Sequence, residues 1–295
     1  MLEEIFVVQD EVVRTIVAIL AAHVRRAEAE RTRAKPPNSW QAYDWYLQAV
    51  DASHSFSASF RVEDLYEARR LLQQSLAVDP NYARSFAMLA NSHIAVWINR
   101  LDSDFLKPAA LDQAYQFARK AVELDPNLPE AHAALGFALM YGRGVDASIA
   151  EFERAVALNP NYVDWRFGGA LVFAGDPRRA IDVVKAYMRL DPYNFPFASG
   201  LLGLAHYMLR EYAEALAMLR DCVSRAPRVR SGHVFLAATY AQMGRHEEAR
   251  AAVAEVLQLE PDYTIGRVAR PTATFKNAKD AEHYFDGLHK AGLPE

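Results

Sequence analysis

The stretch AVELDP at residues 121–126 decides the fold, because five other stretches of the chain end in the same way. All six are short apolar-periodic segments closed by a proline: SLAVDP at Pro80, AVELDP at Pro126, AVALNP at Pro160, MRLDP at Pro192, VSRAP at Pro227 and VLQLEP at Pro261. Proline disfavours helical backbone in the residue before it and lacks an amide donor. Each segment therefore predicts the end of a helix, at spacings of 46, 34, 32, 35 and 34 residues.

Residues of matching type recur at fixed distances before these prolines. In the repeat that ends at Pro126, small residues lie twelve and five positions upstream, at Ala114 and Ala121, with Ala118 between them. Further upstream, four repeats carry a leucine followed by a small residue: Leu89-Ala90, Leu135-Gly136, Leu202-Gly203 and Leu236-Ala237. Small residues at helical spacing let one helix lie close to another. The pattern predicts two packed helices in each repeat.

This pattern resembles the tetratricopeptide-repeat family over about residues 39 to 261. The resemblance implies an all-α, right-handed superhelical solenoid of about six helix pairs, with a concave and a convex face. We expect three regions: 1–37, a long helix and proline linker; 38–261, the repeats, with pairs ending near 80, 126, 160, 192, 227 and 261; and 262–295, a capping segment. Two early repeats depart from the pattern through a weakly patterned connection and about a dozen extra residues around 99–111, and Gly168-Gly169 replaces the usual Leu-Gly.

The N-terminal region reads as one amphipathic helix over residues 3 to about 34, roughly 45 Å long. Its apolar stripe is spaced by three or four positions and consists of Ile5, Val8, Val12, Ile16 and Ile19. Such a helix needs a partner, so we expect it to associate with an upstream domain or with a second copy in a homodimer. At the other end, DAEHYFDGLHKAG predicts a helix that caps the last repeat.

A narrower resemblance rests on EIFVVQDEVV at 4–13, RAKPPNSWQAYDWYLQA at 33–49 and GLHKAGLPE at 287–295. These segments resemble the C-terminal repeat region of bacterial multidomain class III adenylate/guanylate cyclases. The resemblance implies a regulatory region of a signalling protein, and similar regions also follow winged-helix DNA-binding domains in bacterial regulators. The chain lacks the strand alternation and the metal-binding aspartates of a cyclase domain. We therefore predict that it has no catalytic residues.

Composition narrows the function classes. The net charge is -4 and the pI about 6.2, which argues against binding to nucleic acid or anionic membranes. No window has the roughly 20 apolar residues of a membrane span, and the acidic start is unlike a secretory signal. The single cysteine, Cys222, fits a reducing compartment, and we expect a cytoplasmic protein.

Metal and cofactor motifs are missing. The nine histidines fall in no metal-binding spacing, and the glycines at 142 and 144 fit a turn better than a dinucleotide loop. We therefore predict no metal and no cofactor.

The expected binding site is the concave face, where the family holds peptides. By register, the groove residues are Arg84, Asn91, Phe137, Met140, Tyr141, Phe167, Leu171, Leu204, Tyr207, Met208 and Gln242. This mostly apolar set fits an amphipathic helix of a protein partner. Only Asn91 matches the family's clamp for a terminal carboxylate, so we do not expect that clamp. A rival hypothesis is a small-ligand sensor that uses Tyr141, Trp165 and Tyr207.

Overall fold

A computed structural model describes residues 12–13, 15–17, 19–20, 23–24, 40–142, 144–191 and 195–295. Over these residues the chain is helical, without a β-strand. Twelve of the helices form consecutive pairs: α1 Ala42–Ser59 with α2 Val62–Val78, α3 Ala83–Ile98 with α4 Pro108–Leu124, α5 Pro129–Gly142 with α6 Val145–Leu158, α7 Trp165–Ala174 with α8 Pro177–Leu190, α9 Phe197–Met208 with α10 Tyr212–Arg225, and α11 Arg230–Gln242 with α12 His246–Leu259. The all-α repeat fold expected from the sequence is confirmed.

The second helix of each pair ends two residues before its proline. Asp79, Asp125 and Asn159 follow the last residues of α2, α4 and α6, and each donates its amide to the carbonyl four residues earlier. Their side chains also accept the amide two residues further on, at 2.9, 3.0 and 3.0 Å. An Asx residue before proline thus stops the helix and forms the next turn at once.

Small residues allow the two helices of a pair to approach closely. A Cβ atom on Gly136 of α5 would lie 2.9 Å from the ring of Phe152 on α6. In the first repeats a serine lies at such a helix contact. Ser75 of α2 donates to the carbonyl of Ala42 in α1 and accepts from Ser85 of α3, both at 2.8 Å. The positions that the sequence marks as small are therefore the places where helices touch.

The extra residues of the second repeat form a turn-rich excursion, 99–107, between α3 and α4. Near its start, Arg100 forms an ion pair with Asp262, which follows α12. The carbonyl of Ile98, the last residue of α3, accepts a hydrogen bond of 3.1 Å from Arg230 of α11. The second and the sixth pair therefore touch across the inside of the superhelix.

The chain beyond α12 folds back onto the inner face, where the first helices of the pairs lie. It contains a π-helical turn at Ile265–Ala269, a short helical piece at Arg270–Thr272 and helix α13 at Ala278–Ala291. Helix α13 packs mainly on α11 and also touches α12 and α9. The C-terminal capping helix expected from the sequence is confirmed: α13 packs on both helices of the last pair and reaches α9 of the pair before it, with Tyr284, Leu288 and Ala291 buried.

Candidate functional site

Aromatic rings line the inner face from the second pair to the last. Successive ring centroids lie 5.2 to 6.2 Å apart, and the rings in order are Trp97, Tyr141, Phe137, Trp165, Phe197 and Phe235. Contacts at this distance, whether tilted, edge to face or stacked with an offset, are favourable between rings. We call this surface the inner groove.

The first half of the inner groove is open. A cavity of about 390 Å³ lies between α1, α3 and α5 and the loops that precede α7, α9 and α11. Met88 and Asn91 of α3, Tyr141 of α5 and Trp165 of α7 are half-buried in its wall. We call this cavity the open part. Its size falls within the roughly 300–1,000 Å³ typical of ligand pockets.

A polar cluster is embedded in the wall of the open part. Asp164, the N-cap of α7, accepts from the amide of Arg166 at 2.9 Å, from its Nε at 2.8 Å and from its Nη2 at 2.5 Å. Arg166 also donates to the amide oxygen of Asn91 and stacks over the ring of Phe137, 5.2 Å from the centroid. Tyr162 donates to Asp164 at 3.0 Å. The guanidinium and the carboxylate thus neutralise each other inside the wall.

The protonation states in this cluster follow from its burial. Burial alone would lower the pKa of Arg166, but the Asp164 carboxylate beside it raises that pKa above its ordinary value. Burial and then Asp164 raise the pKa of Tyr162 well above its ordinary value. The guanidinium therefore remains charged, and the phenol neutral, near neutral pH.

The second half of the inner groove is filled by the chain itself. Phe275 places its ring 5.0 Å from Phe173 of α7 and 5.4 Å from Tyr284 of α13. The amide of Lys276 donates to the carbonyl of Phe173 at 2.8 Å, and its Nζ lies 2.8 Å from a carboxylate oxygen of Asp146. We call residues 270–295 the C-terminal segment, and the inner face of α9 and α11 beneath it the covered part. A gap of about 80 Å³ is left beside it.

Helix α13 makes close contacts in the covered part. The hydroxyl of Tyr207 on α9 donates to the carbonyl of His283 at 3.0 Å, and the two rings stack 4.7 Å apart. A Cβ on Gly287 would lie 2.2 Å from that hydroxyl oxygen and 3.2 Å from Ala238 of α11. Gln242 donates to Asp286 at 2.9 Å on the exposed side. The absence of a side chain at 287 lets the helices lie this close.

Arg230 joins the two ends of the inner groove, and a buried ion pair with Glu260 holds it in place. Arg230 is 9% exposed and Glu260 is 2% exposed, and Arg230 Nη1 lies 2.6 Å from Glu260 Oε2. The guanidinium also stacks over Tyr263, 5.0 Å from the centroid, while Nη2 donates to Ile98 as described above. Within the described residues, Arg230 Nε and Glu260 Oε1 are buried without a hydrogen-bond partner.

The structure distributes the residues predicted for the groove over both parts. Asn91, Phe137 and Tyr141 line the open part. Met140 and Leu204 line the smaller gap, Tyr207 and Gln242 contact α13, and Met208 is half-buried against the core. Arg84 lies elsewhere and pairs with Glu130 at 2.8 Å. In the rival set, Tyr141 and Trp165 lie together, whereas Tyr207 lies under the C-terminal segment.

Phe167 and Leu171 differ from the prediction, because both are buried in the core and line neither cavity. Phe167 stacks on Phe152 of α6 at 5.3 Å. The fourth repeat is two residues shorter than the modal 34, and Gly168 is the residue in close contact with the paired helix, since its Cβ would lie 2.3 Å from Val184. Gly168 lies 24 residues before Pro192, as Gly136 lies before Pro160, so Gly169 and Phe173 take the places of Phe137 and Tyr141 and face the groove.

The predicted association stripe is described in part. Ile5 and Val8 lie outside the described residues. Val12 is 50% exposed and Ile16 is 58% exposed, while Ile19 is half-exposed, and all three are helical. Val13, Val17, Leu20 and Val24 are also exposed. The described part of this helix thus presents apolar side chains to solvent.

Sequence reasoning missed Arg166, Arg230 and Phe275. The order Asp-Trp-Arg at the start of α7 is a local signal for the first, because an N-cap aspartate can pair with a side chain two positions on. No local signal points to Arg230, whose contact at Ile98 lies 132 positions away. Phe275 was not singled out because the path of the C-terminal segment depends on the superhelix.

The described residues contain neither a metal-binding cluster nor a membrane-spanning helix. No cluster of three or more His, Cys, Asp or Glu side chains that could hold a metal ion occurs there. Within the same residues, no helix is long and apolar enough to cross a bilayer.

Two family models described as tetratricopeptide repeat match the chain. One matches residues 133–195 and 167–229, and the other matches residues 206–267. The matched region covers the last pairs, including both walls of the covered part.

Curated proteins of two kinds are similar to the chain. "Putative adenylate cyclase 3" of Rhizobium meliloti is 34% identical over 145 residues, which cover 49% of this chain and 24% of that protein. "Transcriptional regulator HilA" of Salmonella paratyphi A is 29% identical over 131 residues, which cover 43% of this chain and 23% of that protein. The chain therefore matches about a quarter of the length of either relative.

Among solved structures, the crystal structure of the APC/C hetero-tetramer Cut9-Hcn1 superimposes with a TM-score of 0.59. The alignment covers 92% of this chain and 46% of that chain at 16% identity. At this identity the likeness concerns the fold alone.

Proposed function

We propose, from the premise that this chain is a tetratricopeptide-repeat protein, that it is the regulatory scaffold of a cyclase-like signalling protein. Repeats of this kind form protein-interaction scaffolds, and the inner groove supplies the surface. The observation that carries the finer proposal is the 34% identity to the Rhizobium meliloti relative across 49% of the chain. In this proposal the chain has no catalytic residues and acts on a catalytic domain elsewhere in the protein.

The test begins with the reading frame that encodes the chain. We expect it to encode a nucleotide cyclase domain together with these repeats. Cyclic-nucleotide synthesis by the full gene product should then change in the variant Ala95→Trp, which places a large ring in the open part. The matched control Ala254→Trp adds the same ring on the exposed surface of α12 and should leave the activity unchanged. Equal activity in all three proteins would reject regulation through the inner groove.

A second candidate function is the repeat region of a transcriptional regulator. It is favoured by the 29% identity to the Salmonella regulator over 131 residues. In that case the reading frame encodes a DNA-binding domain in place of a cyclase domain, so the same first step separates the two candidates.

The N-terminal helix is proposed to associate with a second copy of the chain. The exposed residues Ile16 and Leu20, one helical turn apart, support this proposal. Light scattering after size exclusion should report a dimer for the chain and a monomer for the double variant Ile16→Glu/Leu20→Glu. The control Val156→Glu alters an exposed apolar residue of α6 and should remain dimeric. A monomer in all three samples rejects the proposal.

We also propose that the protein works in the bacterial cytoplasm. The support is the single cysteine, Cys222, which is fully buried against Gly200 and Gly232 and whose pKa burial raises to about 12. A thiol in this state packs as a small apolar side chain and does not need an oxidising compartment. Fractionation of cells that express the full gene product tests this proposal.

A further inference from the structure

We propose that the open part of the inner groove binds an amphipathic helix of a partner protein whose buried face is uncharged and presents one aromatic side chain. The proposal rests on the scaffold function above and specifies the chemistry of its partner. It is read from the way in which the chain fills the other half of the same groove.

Helix α13 shows what the inner groove accepts. Its buried residues are Tyr284, Gly287, Leu288 and Ala291, which lie at positions i, i+3, i+4 and i+7 and form a single stripe. Tyr284 meets Phe235 of α11 with ring centroids 6.1 Å apart. The charged residues of α13 lie outside this stripe. The covered part thus holds an amphipathic helix through an aromatic anchor.

The open part continues the same surface. Phe137, Tyr141, Trp165 and Phe197 line both the open cavity and the gap beside the C-terminal segment. In the covered part the row of rings continues from Phe235 to Tyr284 of α13, whereas in the open part the half-buried rings of Tyr141, Trp165 and Phe197 line a cavity. A partner that supplies a ring there would extend contacts that the fold already makes.

The charges of the open part favour an uncharged contact face. Among the described residues that line it there is one carboxylate, Asp164, and one guanidinium, Arg166, and these are bonded to each other. The other lining groups are apolar, aromatic or neutral polar side chains, with His54 exposed at the edge. A charged group on the partner would lose hydration without gaining a counter-charge. Binding should therefore depend little on salt.

The volume of the open part fits one aromatic side chain of a partner. About 390 Å³ is near the small end of the range for pockets that enclose a drug-sized ligand. It can hold a ring with its adjacent side chains, while the rest of the helix lies along the rim. This is the division seen in α13, where the ring of Tyr284 is buried and the opposite side of the helix is exposed.

The experiment uses the whole chain and a peptide that copies residues 277–293, labelled with fluorescein. The covered part is already occupied by the tethered copy, whose short connection gives it a local concentration in the range of mM. The added peptide should therefore bind the open part, as measured by fluorescence polarisation. We expect Ala95→Trp to weaken binding by about tenfold or more, and a peptide with Tyr284→Ala to lose a similar factor.

Controls separate the outcomes. Ala254→Trp should bind as the unaltered chain does, and raising the salt from about 0.05 to about 0.5 M should leave the affinity within about twofold. Equal binding by Ala95→Trp would place the peptide elsewhere and overturn the proposal. N-acetyltryptophanamide binding as tightly as the peptide would also overturn it and identify a small-molecule site. Absence of any binding rejects this inference alone, because the scaffold function is tested by the activity of the full gene product.

Discussion

The two halves of the inner groove are lined by the same kinds of side chain and differ in what lies on them. In the covered part, Tyr207 is 1% exposed, because α13 lies over it. In the open part, Tyr141 and Trp165 remain half-buried beside a cavity. One half is therefore buried as core and the other lines an open groove, although the repeat pattern is the same. The difference lies in the C-terminal segment, which the repeats themselves do not encode.

The largest effect is expected when Tyr284, the aromatic anchor that holds α13 on the covered part, is truncated. Tyr284→Ala should lower the free energy of unfolding of the last two pairs by about 4 kcal/mol, since truncating a buried aromatic residue costs about 3–5 kcal/mol. Amide hydrogen exchange should show faster exchange in α13 and α11. The control Tyr66→Ala removes a more exposed tyrosine and should have a much smaller effect. Unchanged exchange in α11 would mean that α13 contributes nothing to the covered part.

The next largest effect is expected at the ion pair that links the ends of the groove. Arg230→Ala leaves Glu260 buried without its partner and should cost about 3 kcal/mol, measured as a shift in the urea midpoint. The double variant Arg230→Met/Glu260→Leu removes both charges and should recover most of this loss. A double variant as unstable as the single one would show that the pair is not the cause.

A smaller loss of stability is expected from a substitution in the wall of the open part. Asp164→Asn removes the counter-charge of Arg166 and should cost about 2 kcal/mol, because a hydrogen bond to a charged group contributes about 1.5–3 kcal/mol. Asp182→Asn on α8 is the matched control, since Asp182 is exposed. A loss of equal size in the control would assign the effect to net charge.

The smallest effect expected is a pH dependence of stability that comes from helix α3, which forms part of the wall of the open part. Burial, and then the charge of Arg69, lower the pKa of His93 from 6.5 to about 4. The unfolded chain therefore binds more protons between these values, so this contribution to stability is complete above pH 6.5 and is lost as the pH falls toward 4. After allowance for solvent screening, the loss is on the order of 1 kcal/mol. His93→Gln should make the urea midpoint depend less on pH over this interval. His246→Gln, on the exposed surface, should leave that pH dependence unchanged.

The sequence allowed the helix ends and the close helix contacts to be predicted, because both depend on residues near one another in the chain. Proline and the Asx residue before it stop a helix locally, and Gly136 contacts Phe152 only sixteen positions away. Asn91, Phe137 and Tyr141 were placed in the groove by the repeat register alone.

Other features could not be predicted, because they depend on how the superhelix winds. The bond from Arg230 to Ile98 and the path of Phe275 join parts of the chain that come together only after all six pairs have stacked. The wrong assignment of Phe167 and Leu171 to the groove reflects the stretch from Pro160 to Gly168, which is two residues shorter than the stretch from Pro126 to Gly136.

The contact between the second and the sixth pair restricts how the gene can change. Arrays of repeats ordinarily gain or lose units by duplication or deletion, because each unit meets only its neighbours. Here an added or missing unit between α3 and α11 would move Arg230 away from Ile98 and Arg100 away from Asp262. We therefore expect homologues that keep these four residues to have the same number of repeats between them.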